Sequence, residues 1–167
     1  SLIENSTTPL VLDADALNCV AKQPEILLKK KAPIIITPHP GEMSRLTGLA
    51  TPLVNAERER VALDFAQKYG VVTVLKGAGT VIASPNGKVL VNPTGNSGMA
   101  TGGSGDVLTG IIAGLAAQGI SVQEAALAGV YMHGLAGDLA SKGIIGMAAG
   151  EISQYLPQAR RIIEQGE

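Results

Sequence analysis

The sequence has no tryptophan, one phenylalanine, three tyrosines and one cysteine. With so few aromatics the core must be built from aliphatic side chains, and 46% of the residues are apolar. The lone Cys19 excludes an internal disulfide framework and fits a reducing compartment, so a cytoplasmic location is expected. It has no evident histidine partner, which argues against a thiol nucleophile. His39 and His133 are far apart and no Cys/His cluster exists, so no structural zinc site is expected and no metal ligands are assigned. The formal net charge is −1 with no lysine or arginine block. That excludes the clustered positive surface of a nucleic-acid binder. The longest low-charge run, residues 107–120, is broken by glycine and alanine and is short for a bilayer span. It reads as a buried helix, and no membrane partner is expected. A small molecule is the partner class that remains.

The 167 residues suffice for one domain with its own core. After about eight polar residues, Leu10-Val-Leu-Asp13 has the pattern of a buried strand ending in a carboxylate. A short helical piece over 16–20 follows, and Pro24 suits the start of the next. Residues 33–37 and 71–75 read as further strands, and 41–47 as a short helix. One helix is expected from Thr51-Pro52, as cap and first residue, to Tyr69-Gly70. Residues 80–83 and 88–91 flank Ser84-Pro-Asn-Gly87, which is hairpin chemistry. A helix over 105–117 follows, then one opened by the capping box Ser121-Val-Gln-Glu124 and running to about 141. Two helical segments, 148–155 and 157–165, close the chain, with Pro157 at the start of the second. Strands that do not alternate with polar residues predict a mostly parallel sheet with helices on both faces.

Ligands in open α/β sheets bind beyond the C-terminal ends of the strands. Four polar segments fall there: Asp13-Ala-Asp15 with Asn18, Thr37-Pro-His-Pro-Gly-Glu42, Lys76-Gly-Ala-Gly-Thr80, and the stretch from Asn92 to Gly110. The last has glycine at 95, 98, 102, 103, 105 and 110, then turns into a small-residue helix with Asp106 at the changeover. Residues 102–105 can aim several backbone N–H groups at one anion, and the helix dipole adds to them. A carboxylate beside bound phosphate suits a base that takes a proton from an incoming hydroxyl, or a water or metal anchor. No Gly-Lys-Ser/Thr follows, so this is not a P-loop. Lys76 beside two glycines can reach a phosphate, or it can be a solvated lysine on a tight turn. His39, boxed by Pro38 and Pro40, has a stiff backbone that suits either a ligand contact or a surface turn. Asp13 and Asp15 can hold water or Mg²⁺, or end a strand and cap a helix. His133 reads as a packed core histidine, and Asp138 need not share its face.

Taken together, Val11–Asn18, Thr37–Leu46, Lys76–Thr80, Asn92–Gly110 and Gly129–Asp138 resemble the ADP/ATP-dependent NAD(P)H-hydrate dehydratase family. The resemblance implies a ribokinase-like three-layer αβα fold. It implies a carbon–oxygen lyase that phosphorylates the ring hydroxyl of hydrated NADH or NADPH from ADP or ATP and then eliminates phosphate. Mg²⁺ would bridge the nucleotide phosphates. Asp106 then resembles the base and a substrate contact, and His39 a contact to the hydrated cofactor. Lys76, Gly77, Ala78, Gly79, Thr80, Asn96, Gly102, Gly103, Ser104 and Gly105 resemble the nucleotide-binding set. Ser104 stands where threonine is common in the family. Family catalytic domains are also much longer, so residues 1–167 are expected to be the C-terminal part of one ribokinase-like catalytic domain. The expectation is activity only with the preceding part, in the same or a separate chain, and assembly as a homo-oligomer. The alternatives are a ribokinase-like kinase of a small vitamin-precursor alcohol and a non-catalytic nucleotide sensor.

Overall fold

The computed structural model describes residues 1–141 and 147–166. Five strands form one sheet in sequence order: β1 Leu10–Leu12, β2 Ile34–Ile36, β3 Val72–Leu75, β4 Val81–Ala83 and β5 Val89–Val91. The first three are parallel, with Leu12 opposite Ile36 and Ile36 opposite Thr73. β4 and β5 add an antiparallel hairpin on β3. Its turn is closed by Gly87 N–H donating to the Ser84 carbonyl at 3.0 Å.

Helices cover both faces, as the continuous apolar strands require. Ile34, Ile36, Leu75 and Val81 pack with Leu17 of α2 (Asp15–Ala21), Met43 of α3 (Pro40–Thr47) and Phe65 of α5 (Arg58–Tyr69). Ile35, Val72, Val74 and Ile82 face the other way, onto Leu108 and Ile112 of α6 (Ser104–Ala117) and Ala126 and Val130 of α7 (Val122–Ala140). The core is aliphatic apart from Phe65 and Tyr69, whose rings meet at 4.5 Å. The final helix, α8 (Ala149–Gln165), packs on α7 through Leu139, Ala140, Ile152 and Ala159.

Several local expectations are corrected. Residues 2–5 form a helical turn, α1 (Leu2–Asn5), capped by Ser1 and Glu4, within the stretch read as a polar lead-in. Pro24 opens a 3-10 segment, Pro24–Lys29, of the short kind that serves as a connector. The single helix expected after residue 50 is two, α4 (Thr51–Ala56) and α5, and the cap of α4 is Ala50 rather than Thr51. Glu57 leaves helical geometry at φ −127°, ψ 41°. This turn brings Arg58 to the head of α5, where it reaches the end of β3. Apolar spacing could not reveal the break, because Val54 and Val61 are buried on either side of it.

Pro157 lies inside α8 instead of starting a helix. Its missing N–H orphans the Ser153 carbonyl, and both residues are exposed, so water can take the free acceptor. The helix read as buried over 107–120 is α6, and only one side of it is covered. Leu108 and Ile112 are buried, while Gly110, Ala113, Gly114 and Ala117 face outward.

The side of α7 toward the glycine-rich segment carries Gly134 and Gly137. A Cβ on Gly134 would stand 2.8 Å from the Thr94 carbonyl carbon, which no real contact allows. Gly134→Ala is therefore expected to destabilise by about 1–3 kcal/mol, because the overpacking cost outweighs the gain in helix propensity. Gly114→Ala, with nothing within 4 Å of the added atom, is expected to stabilise by about 0.5–1 kcal/mol. Thermal or denaturant unfolding of the two variants checks both signs.

Candidate active site

The segment from Asn92 ends where α6 begins. Gly103 is the N-cap residue at φ 87°, a left-handed conformation that glycine takes without a Cβ penalty. Ser104 N–H donates to the Thr101 carbonyl at 3.3 Å. The next two helical N–H groups, of Gly105 and Asp106, find no acceptor among the described residues, and neither do those of Gly102 and Gly103. Four such N–H groups at the positive end of a 14-residue helix have the chemistry of an anion cradle. The Asp106 side chain is exposed and, among the described residues, makes no hydrogen bond or ion pair. Ser104 is different. It is buried, and its hydroxyl lies 3.4 Å from His133 Nε2 and so points away from the cradle.

Lys76, one residue past β3, brings a positive charge to the same place. A Cβ on Gly105 would stand 3.2 Å from its Nζ, so the ammonium lies close against the first turn of α6. Lys76 Nζ donates to Asp13 Oδ1 at 2.6 Å, and Glu42 Oε2 lies 3.9 Å away. Thr109 of α6 donates to the other Asp13 oxygen at 2.8 Å, and Thr37 lies 3.4 Å from Thr109 Oγ1. Burial pushes the Asp13 carboxyl up. Hydrogen bonds from Lys76 and Thr109, the Lys76 charge and the Ala14 N–H outweigh it and leave the pKa below that of an ordinary aspartate. Exposed pairs such as Arg160–Glu164 contribute at most about 1 kcal/mol. The Asp13–Lys76 pair, with side chains 10% and 18% exposed, is the one whose breakage leaves a charge stranded in the protein.

His39 caps α3. Its Nδ1 accepts from the N–H groups of Gly41 at 3.0 Å and Glu42 at 3.3 Å. Glu42 completes the box by accepting His39 N–H at 2.8 Å. With Nδ1 used as acceptor the proton of a neutral ring belongs on Nε2, which lies 3.5 Å from Glu42 Oε1 in a side chain about half exposed at the rim. The Lys76–Thr80 loop is braced from behind by Arg58, whose guanidinium donates to the carbonyl of Leu75 at 2.9 Å and those of Lys76 and Gly79 at 3.4 Å. Burial lowers the Arg58 pKa. Thr80 closes the loop by donating to the Gly77 carbonyl at 3.1 Å, and Gly77 and Ala78 are exposed on it.

Asn96 works on the loop itself. Its Oδ1 accepts Gly98 N–H at 2.9 Å, and its Nδ2 donates to the Gly137 carbonyl at 3.1 Å and to Asp138 Oδ1 at 2.9 Å. Asp138 Oδ2 accepts Gly95 N–H at 2.8 Å. Asp138 therefore holds the glycine-rich segment onto α7, a role that its distance from His133 along the helix did not suggest. Arg58 was missed as well. The only sequence signal for either residue is a charge beside a buried helix face, which is not specific. The four rim segments meet as expected at the carboxyl ends of the parallel strands, with Asp13, Glu42, Lys76 and α6 in direct contact.

His133, placed in the core by the sequence, is mostly buried, and burial lowers its pKa to about 4 against a weaker opposing contact from the Ser104 backbone. The unfolded chain, with an ordinary histidine, takes up its proton first as pH falls. Stability supplied by neutral His133 is then present above about pH 6.5 and is lost as pH falls toward 4. Asp13, held below its ordinary value, adds a further loss at lower pH. His133→Gln is expected to flatten the stability curve between pH 6.5 and 4 relative to wild type, as read by denaturant midpoints.

The sequence model of the NAD(P)H-hydrate dehydratase family matches residues 1–158. The chain is 48% identical over 166 residues to the bifunctional NAD(P)H-hydrate repair enzyme of Moorella thermoacetica, covering 98% of this chain and 31% of the relative. It is 46% identical over 164 residues to the ADP-dependent (S)-NAD(P)H-hydrate dehydratase of Neisseria meningitidis, covering 95% and 54%. Its structure is similar, with a TM-score of 0.83 and 39% identity, to the ADP/ATP-dependent NAD(P)H-hydrate dehydratase from Bacillus subtilis co-crystallized with ATP/Mg²⁺, covering 92% of this chain and 54% of that one. The chain thus spans between 31% and 54% of the length of these relatives. The three-layer αβα arrangement is ribokinase-like. From the match over residues 1–158, the chain belongs to the NAD(P)H-hydrate dehydratase family.

Proposed function

We propose that this chain carries the phosphoryl-transfer site of a nucleotide-dependent dehydratase that repairs hydrated NADH and NADPH. The observation that carries the reading is the cradle at the head of α6. There, four N–H groups without an acceptor, the Lys76 ammonium and the Asp106 carboxylate, without a partner among the described residues, come together. The cradle and Lys76 would hold the phosphoryl group of ADP or ATP, and the Lys76–Thr80 loop the nucleotide. His39 Nε2–H would donate to the hydrated cofactor at the rim. Relatives named as dehydratases favour this reading over a vitamin-precursor kinase.

Asp106 would take the proton of the ring hydroxyl as its oxygen attacks phosphorus and the shortened nucleotide leaves. Phosphate is a far better leaving group than hydroxide. The ring nitrogen lone pair can then expel it, and loss of a proton from the neighbouring ring carbon restores the dihydronicotinamide. The chain's tasks are positioning and stabilising negative charge. Among the described residues no three metal-ligating side chains gather. That donor set fits a Mg²⁺ carried mainly on the nucleotide phosphates, which needs one or two carboxylates. Asp106, whose oxygens have no partner among the described residues, is the side chain that would hold it. When bound, the ion neutralises phosphate charge.

The relatives' greater length supports reading residues 1–167 as the C-terminal part of a single ribokinase-like catalytic domain. The full-length protein is therefore the one to test. Asp106→Asn is expected to lower kcat by about 10²–10⁴-fold, the range for removing a general base, with affinity for nucleotide free of Mg²⁺ changed little. Steady-state turnover of hydrated NADH together with calorimetric nucleotide binding reads both. Near-normal turnover in the variant would remove Asp106 from the chemistry.

A further inference from the structure

Asp13 lies outside the cradle, yet four observations converge on it. Its two carboxylate oxygens are divided between elements that are not neighbours: Oδ1 takes Lys76 after β3, and Oδ2 takes Thr109 of α6. It is part-buried, with its side chain 10% exposed. The residue after it, Ala14, has φ 49° and ψ −120° and is the one non-glycine residue at positive φ among the described residues. A β-carbon opposes that backbone conformation, and such strain persists where the surroundings hold it for a purpose. Thr109 itself stands one helical turn beyond Asp106, and Thr37, fully buried, links Thr109 back to β1 by lying 3.3 Å from the Leu12 carbonyl.

We propose that Asp13 is a positioning residue for phosphoryl transfer, fixing the Lys76 ammonium against Gly105 and, through Thr109, locking the helix that carries Asp106 into the same frame. The inference rests on the reading of the cradle as the phosphoryl site. Lys76 spans from the end of β3 past β2 to reach β1, and a lysine held at one end only has many rotamers. Asp13 removes that freedom before the nucleotide arrives. A carboxylate this close to a bound phosphate repels it, so Asp13 does not serve ground-state affinity. Its value lies in holding the ammonium where charge develops during transfer.

The full-length protein is assayed with hydrated NADH and ADP or ATP, and nucleotide Kd is measured by calorimetry. Asp13→Asn is expected to lower kcat about 30-fold or more while Kd stays the same or falls. A structural defect would instead raise Kd and lower kcat together. In a Lys76→Met background, adding Asp13→Asn is expected to cost less than it does in the wild type, because one of the two groups that Asp13 fixes is already gone. If Asp13→Asn does not fold, Thr109→Val carries the test. It should lower kcat with Kd retained, and Thr109→Ser should restore the rate. Wild-type kcat in Asp13→Asn, a full additional loss in the Lys76→Met background, or equal losses in Thr109→Val and Thr109→Ser would each overturn the proposal. Inactivity of the wild-type protein itself would instead overturn the functional reading, and the positioning role with it.

Discussion

The ion pair between Asp13 and Lys76 is the contact on which the rim of the sheet depends. β1 and β3 do not touch, because β2 runs between them, so their carboxyl ends lie about 10 Å apart. A lysine is long enough to cross that gap, and a carboxylate at the far end gives it a reason to. Thr109 then ties the same carboxylate to α6. Three elements that the backbone ladder does not connect at this end are thus joined through one side chain. Pairing costs desolvation of both charges, and the hydroxyl and Ala14 N–H donors offset part of it.

Two further braces work from behind. Arg58 holds the loop after β3 by its carbonyls, and Asp138 with Asn96 holds the glycine-rich segment on α7. Neither faces the cradle directly. Their effect is to leave the N–H groups of Gly102, Gly103, Gly105 and Asp106 as the unspent donors of the region. A segment so rich in glycine would otherwise lose its shape, since glycine gives up more conformational freedom on ordering than any other residue. The two notch residues of α7, Gly134 and Gly137, allow the loop backbone close enough for those hydrogen bonds to form.

The strands and the convergence of four polar segments were legible because β2 is all isoleucine and β3 is Val and Leu around one threonine, and each is followed by a polar turn. The run of unbonded N–H groups at the head of α6 was legible because glycine clusters directly before a helix. What escaped was whatever depends on contacts distant in sequence. Ser104 sits in the glycine motif, yet its hydroxyl turns inward to His133. Asn96 looks like a ligand residue and is occupied in shaping its own loop. His39, which the sequence left between a ligand contact and a surface turn, caps α3 through Nδ1. The break at Glu57 and the continuity of α8 through Pro157 were misjudged for a shared reason. Apolar spacing records which face is buried, and that face persists across both positions. Asp138 and Arg58 carry no local signal, because their partners lie 43 and 17 residues away.

Under the proposed function, phosphorylation at this site serves elimination rather than storage of a phosphate ester. It is tested most directly by following the full-length protein with hydrated NADH and ADP or ATP, measuring regenerated dihydronicotinamide by absorbance and inorganic phosphate in the same sample. The two are expected to rise together in equal amounts, with no phosphorylated cofactor accumulating. A stable phosphate ester, or nucleotide consumption without return of the reduced nicotinamide, would contradict it.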